Sequence, residues 1–164
     1  MYSQLKKCAG PVVLTLLPTV GGSVGAVYLR KDYRLWYEHL KKPGWCAQHW
    51  HFFPTYNVLY PAMGLASYLI VKEHGFEGPA KTALMLYGAH LGLSWLWVPL
   101  LFKRRYFAMA FADSVAVACL SGATLWTFRP LNDTAATLFF PSFLWSVYLA
   151  LTSFFVLRRN GLVH

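Results

Sequence analysis

Apolar residues in this chain do not alternate with polar ones at a short period. They come in long blocks set apart by charged clusters. The blocks are Cys8–Leu29, Phe52–Val71, Thr82–Phe102, Tyr106–Phe128 and Thr134–Leu157, of 22, 20, 21, 23 and 24 residues, interrupted only by Asp113. A helix needs about 20 predominantly apolar residues to cross the hydrocarbon core of a bilayer, and each block reaches that length. A transmembrane barrel would instead show segments of ~10 residues alternating apolar and polar, which these blocks do not. The pattern predicts an all-α integral membrane bundle of five transmembrane helices, forming a single domain over residues 1–164.

The spacers refine that picture. Lys6 and Lys7 before an apolar block imitate a signal peptide, but 22 residues exceed a typical apolar signal core of about 7–15, so the block reads as a retained first span. The one long connection covers roughly residues 30–51. In it Tyr33, Trp36, Tyr37 and Leu40 fall at i, i+3, i+4 and i+7, with Asp32 as N-cap and Lys42-Pro43-Gly44 as terminator. This predicts a short amphipathic helix, either an ordinary connector or a lid over the bundle. Alternate crossing places Lys6, Lys7, Lys72, Lys81 and Arg129 on one side. The other side holds Arg30, Lys31, Arg34, Lys41, Lys42, Lys103, Arg104, Arg105, Arg158 and Arg159. The richer side is cytosolic by the positive-inside rule, so the long loop and the C-terminus face the cytosol.

Composition narrows the function. The chain is 57% hydrophobic, 18% aromatic and 13% charged, against about 45–50% apolar and about 25% charged in soluble domains. A soluble catalytic domain of ordinary size, about 100–150 residues, has no room. The net charge of +9 sits between the apolar blocks, where it sets topology and meets headgroups of the lipid bilayer, so nucleic acid is not an expected partner. Cys8, Cys46 and Cys119 are scattered and give no disulfide framework or metal spacing. Pro11, Pro18, Pro54, Pro61, Pro99 and Pro141 lie inside the blocks, where they bend helices and leave cavities.

Few residues offer chemistry. Asp113 is the one acidic residue within a span, read first as a helix–helix hydrogen bond and second as a ligand anchor. His90 is a lone intramembrane histidine, so a satisfied polar contact comes ahead of a metal ligand. His49 and His51 flank Trp50 but lack further ligands beyond Cys46, so neither metal nor cofactor is expected. No nucleophile–base pair, phosphate loop or carboxylate pair appears, and the reading leans away from an enzyme. Gly21/Gly25 and Gly88/Gly92 fit close helix contacts, for internal packing ahead of a homodimer seam. Trp95, Trp97 and Trp145 lie too deep for an interfacial belt, and large flat faces around a gap would suit a sterol or tetrapyrrole. From composition alone, core packing ranks first.

The ordered motifs resemble the translocator protein family, the TspO/peripheral benzodiazepine receptor group. They run from Pro18-x-x-Gly21-Gly22 through Trp36-Tyr37, Lys42-Pro43-Gly44-Trp45, Pro54 and Leu59-Tyr60-x-x-Met63-Gly64-x-Ala66-Ser67-Tyr68. Trp95-x-Trp97-x-Pro99-x-x-Phe102, Ala112-Asp113 and Pro141-x-x-x-Trp145 complete the series. The resemblance implies a five-helix bundle with a cavity closed by the first cytosolic loop. Its implied partners are tetrapyrroles (porphyrin or haem), cholesterol and benzodiazepine-type drugs. By position, the cavity would be lined by Ala26, Leu29, His49, Phe52, Phe53, Tyr56, His90, Ser94, Trp97, Ala112, Trp145 and Leu149. Phe154 and Arg158 would stand at the C-terminal sterol motif, with Phe154 in place of its central Tyr.

Tyr56 replaces a usual Trp, Ser94 an Asn and His90 a Gln, and Phe52-Phe53 are bulkier than the family's pair. These departures narrow the pocket and change its polarity, so drug affinity is not assumed. They resemble the second vertebrate paralogue, associated with red-cell precursors. That would imply the endoplasmic reticulum, nuclear or plasma membrane in place of the mitochondrial outer membrane. The leading expectation is a cholesterol- or porphyrin-binding protein that redistributes or transports its ligand. The alternatives are a tetrapyrrole-degrading enzyme, as among bacterial members, and a ligand-free scaffold.

Overall fold

A computed structural model describes residues 18, 19, 21, 39–103 and 106–161. The expected first span and most of the expected loop helix lie outside the described residues. Four long helices follow: α1 (His49–His74), α2 (Gly78–Val98), α3 (Phe107–Phe128) and α4 (Asp133–Asn160). No strand occurs among the described residues. Three helical stretches, Gly78–Leu101, Phe107–Phe128 and Asp133–Asn160, are long and apolar enough to cross a membrane. The structure therefore shows an all-helical chain with three such helices, and the expected count of five is not established by it. α1 has 26 residues and ample length.

Helix ends follow from local chemistry. α1 stops at Gly75, whose N–H still closes a helical bond to the Val71 carbonyl at 2.9 Å while its φ of 67°, easy only for glycine, turns the following chain out of the helix. Pro79 stands in the first turn of α2, where its missing N–H costs nothing. Asn132 caps α4 by accepting the Ala135 N–H at 2.7 Å, and Arg158 and Arg159 sit favourably in its last turn. Pro54, Pro61 and Pro141 lie within helices without ending them. Pro99 does change the path. The chain passes from α2 into a π-helical turn, Pro99–Lys103, and the Tyr106 N–H reaches the Leu100 carbonyl at 3.3 Å.

The helices pack in the order α1–α4–α3–α2, and the contact of α1 with α2 that closes this ring is the sparsest of its four neighbouring pairs. Two apolar clusters form along this arrangement. One gathers Met63, Ala66, Ile70, Ala80, Ala83, Tyr87, Phe128, Ala135, Ala136 and Phe139 near the 75–78 and 129–132 turns. The other gathers Phe52, Trp97, Val98, Leu101, Phe107, Ala110, Leu149 and Val156 near the opposite end. Ala66, Ala80, Ala83, Ala110 and Ala135 are fully enclosed, the small side chains that let helices approach closely in lipid. Hydroxyls on the interhelical faces mostly bond back to their own helix. Ser121 and Thr124, for example, donate to the Ala118 and Leu120 carbonyls.

An aromatic cavity under a tethered loop: the candidate functional site

The second cluster surrounds the candidate site. Phe52, only 1% exposed, stacks on Tyr56 (centroids 6.4 Å apart) and on Trp97 (6.3 Å), and meets Trp145 edge-on at 5.8 Å. Tyr56 stacks on Tyr60 at 5.1 Å and presents its edge to Trp145 at 6.1 Å. Trp145 stacks in turn on Tyr148 at 5.1 Å. Rings from α1, α2 and α4 thus converge through parallel and edge contacts, the geometries that aromatic quadrupoles favour. The Trp97 indole N–H donates to Ser153 Oγ at 3.4 Å, which fixes that ring from behind.

Beside the rings lies a cavity of about 30 Å³. It offers space for water and far less than the roughly 300–1,000 Å³ of a small-molecule pocket. Its lining falls in helical register. Tyr56, Leu59, Tyr60 and Met63 come from α1; His90, Ser94 and Trp97 from α2; Ser114 and Val117 from α3; Ser142, Trp145, Ser146 and Leu149 from α4. The α1 and α4 sets each repeat at i, i+3, i+4 and i+7, one face of each helix. Aromatic and aliphatic groups make most of the wall, and serine hydroxyls with the His90 imidazole make the rest. His90 Nδ1 and Ser142 Oγ are buried without a hydrogen-bond partner. The Trp145 N–H is turned toward Tyr56 but closes no hydrogen bond of ordinary geometry.

The structure brings together Tyr56, His90, Ser94, Trp97, Trp145 and Leu149 of the residues expected at the site, with Phe52 packed beside them. Ala112 is exposed, and the neighbouring Ser114 and Val117 face the cavity in its place. Two residues along a helix turn the side chain about 200°, which carries Ala112 to the other side of α3. Ala26 and Leu29 lie outside the described residues, as do the side chains of His49 and Phe53. Phe154 is 40% exposed and tilts against Phe111 at 5.7 Å, and Arg158 is exposed near the end of α4. Sequence reasoning missed Leu59, Tyr60, Met63, Ser114, Val117, Ser142 and Ser146. Extending helical periodicity from Tyr56 and Trp145 would have found most of them. Asp113 is buried, with Oδ2 unpartnered, and is not a lining residue.

The loop before α1 is fastened over this end of the bundle. The Lys41 N–H donates to Asn160 Oδ1 at 3.0 Å, and Asn160 Nδ2 donates to the Lys41 carbonyl at 3.1 Å. The Tyr148 hydroxyl accepts the Ala47 N–H at 2.6 Å and donates to the Trp45 carbonyl at 3.3 Å. Trp45 also lays its ring against Tyr148 and Phe155, at 5.9 and 5.5 Å. Burial raises the pKa of the adjacent Cys46 thiol, while a hydrogen bond with Thr152 and the charges of Lys42 and Arg159 oppose that rise. Tyr148 therefore touches both the ring cluster and the loop.

The TspO/MBR family model matches residues 14–159. The chain belongs to the TspO/MBR family. Sheep translocator protein is 37% identical over 150 residues, which cover 91% of this chain and 89% of that one. Human translocator protein is 35% identical over 147 residues, covering 89% and 87% respectively. Dog translocator protein 2 is 28% identical over 150 residues, covering 90% and 87%. These identities do not draw the chain toward the second paralogue, despite the pocket substitutions that resemble it. Membership and the apolar helices together make it a multi-pass integral membrane protein.

Proposed function

We propose that this family member crosses the membrane five times and binds a flat apolar ligand, a sterol such as cholesterol or a porphyrin, among the rings of the second cluster. It then redistributes that ligand between membranes or leaflets. The two crossings beyond the three apolar helices are α1 and the block Cys8–Leu29. The observation that carries the reading is the convergence of Phe52, Tyr56, Trp97 and Trp145 beside a cavity with a polar edge. Phe52 already lies face to face with Tyr56 and Trp97, and Trp145 meets Phe52 and Tyr56 edge-on. A flat ligand slipped between them replaces ring–ring contact with ring–ligand contact, so opening the stack loses little dispersion energy. The small cavity marks where the stack parts, and the loop held by Tyr148 lies over that end.

The test is to mix the purified full chain in lipid nanodiscs with protoporphyrin and, separately, with cholesterol. Saturable binding without chemical change supports the proposal. Product formation from protoporphyrin would favour an enzyme, and absence of binding would leave a scaffold whose cavity Phe52 fills.

A further inference from the structure

The first loop brings charge to the end of the bundle that it covers. Its paired hydrogen bonds with Asn160, at 3.0 and 3.1 Å, hold Lys41 against the residue that follows Arg158 and Arg159. Lys42 and Arg159 both favour the Cys46 thiolate by their charge, so the two segments bear on one spot. Lys41, Arg158 and Arg159 are exposed and Lys42 is half-buried. The described carboxylates lie elsewhere: Glu73, Glu77 and Asp133 by the far turns, and Asp113 buried within α3.

Two ordinary causes explain part of this. Cations suit the last turn of a helix, and the positive-inside rule sets the side on which all four lie. Neither requires that segments 119 residues apart gather their cations at one place. Like charges brought together raise each other's energy, and an anion among them reverses that cost. Depth indicates what the anion belongs to. The 28 residues of α4 span about 42 Å at ~1.5 Å each, against roughly 40–45 Å for a bilayer with its headgroups. Arg158 and Arg159, in its last turn, therefore lie at headgroup level. Trp45, 50% exposed and packed on Phe155, supplies the kind of ring that settles at that depth.

We propose that Lys41, Lys42, Arg158 and Arg159 form a surface for phospholipids with anionic headgroups, assembled only while the first loop is fastened to Asn160. None of the four lines the ring cavity, so the surface is separate from that site. Phosphatidylcholine sets a cationic choline against its phosphate, whereas phosphatidylserine presents net negative charge to the cations. Loop and lipid then support each other: whatever fastening adds to lipid binding, lipid adds to fastening.

The full chain is placed in phosphatidylcholine nanodiscs holding a small fraction of either phosphatidylserine or phosphatidylcholine brominated high on the acyl chain. Quenching of Trp45 emission, taken as the difference from Trp45→Phe, reports the lipid beside the loop. At equal fraction, brominated phosphatidylserine should quench about fivefold more strongly, the effect of one cation near an anionic surface. Salt at about 1 M should erase the difference, because it shortens the screening length to about 3 Å. In Lys41→Gln/Arg159→Gln, both exposed positions, the two lipids should quench alike. Asn160→Ala keeps every charge but releases Lys41, and should lower the preference by more than half. Should that variant not fold, the exposed pair still tests the surface. Equal quenching by the two lipids in the unaltered chain overturns the proposal, as does a preference that survives Lys41→Gln/Arg159→Gln. An undiminished preference in Asn160→Ala overturns assembly by the loop, since charge on that side of the membrane would then suffice.

Discussion

The end of the bundle around Phe128 and Phe139 and the end around Phe52 and Trp97 both bury large rings, by different means. At the first, alanines at 66, 80, 83, 135 and 136 bring the helices close, and the rings of Tyr87, Phe128 and Phe139 pack among them. At the second, rings are stacked chiefly on other rings, next to a small cavity with unpaired polar atoms. The rings of Tyr87, Phe128 and Phe139 meet one another only tilted or edge-on, at 5.6–6.3 Å, and leave no face-to-face stack for a flat ligand to enter. A ring lying on another ring can trade it for a ligand. The contrast separates a part of the protein that holds its shape from a part that recognises something.

The largest expected effect falls at the close-packed end. Phe139→Ala removes a fully buried ring and should cost about 3–5 kcal/mol of stability. It should appear as a large fall in the thermal midpoint of the ligand-free protein in detergent. A small fall would erase the distinction between the two ends.

Trp145→Phe, at the other end, keeps an aromatic ring and loses the indole N–H and some contact area. Sterol or porphyrin affinity should weaken several-fold, in line with the ~0.5–1.5 kcal/mol assigned to aromatic pairing beyond area burial. Ligand-free stability should move less than ligand-induced stabilisation does. The reverse outcome would make Trp145 packing filler and remove it from the site.

Tyr148→Phe tests whether the loop depends on the ring end. It deletes both hydrogen bonds to the loop while keeping the stack on Trp145. At about 0.5–1.5 kcal/mol per bond, losing both should make the loop open roughly 5- to 150-fold more often. Alkylation of Cys46 by a water-soluble maleimide at fixed pH should accelerate accordingly. Because burial raises the thiol pKa, the protected wild-type rate should keep climbing as pH rises beyond the ordinary thiol range. An unchanged rate in the variant would show that the Asn160 bonds alone hold the loop.

The smallest expected effect is at Phe154, 40% exposed on the outer side of α4. Phe154→Tyr adds a hydroxyl at headgroup depth with little change in apolar area and should raise cholesterol affinity modestly. No change would confine sterol recognition to the cavity.

The helices were more legible in the sequence than the site was. The blocks 52–71, 82–102, 106–128 and 134–157 reappear within or beside helices extended by a few residues at their ends. The π-helical turn was not foreseen, because Pro99 was read as a bend within a continuing helix. The inward faces were harder to find for a physical reason. In lipid the outer surface is as apolar as the core, so Val58, Leu65, Met85, Val115 and Leu144 face outward and leave little amphipathic contrast. Serines that bond back to their own helix, such as Ser114 and Ser146, carry no outward sign of facing a cavity. The rings at 56, 97 and 145 could be placed through family resemblance. The hydroxyl at 142 could not, since only its neighbours on α2 give it meaning.

The fastening of the first loop also dictates an order of assembly. Lys41 meets Asn160 across 119 residues of chain, and Ala47 meets Tyr148 across 101. At about 5–20 residues per second of synthesis, the loop leaves the ribosome roughly 5–24 s before its partners exist. Through that interval Trp45 and the residues around it have none of these attachments. α4 is therefore the helix that shuts the molecule. A chain that stops short of α4 loses one wall of the cavity and every hydrogen bond that Tyr148 and Asn160 supply to the loop, so emergence of α4 and closure of the site become the same event.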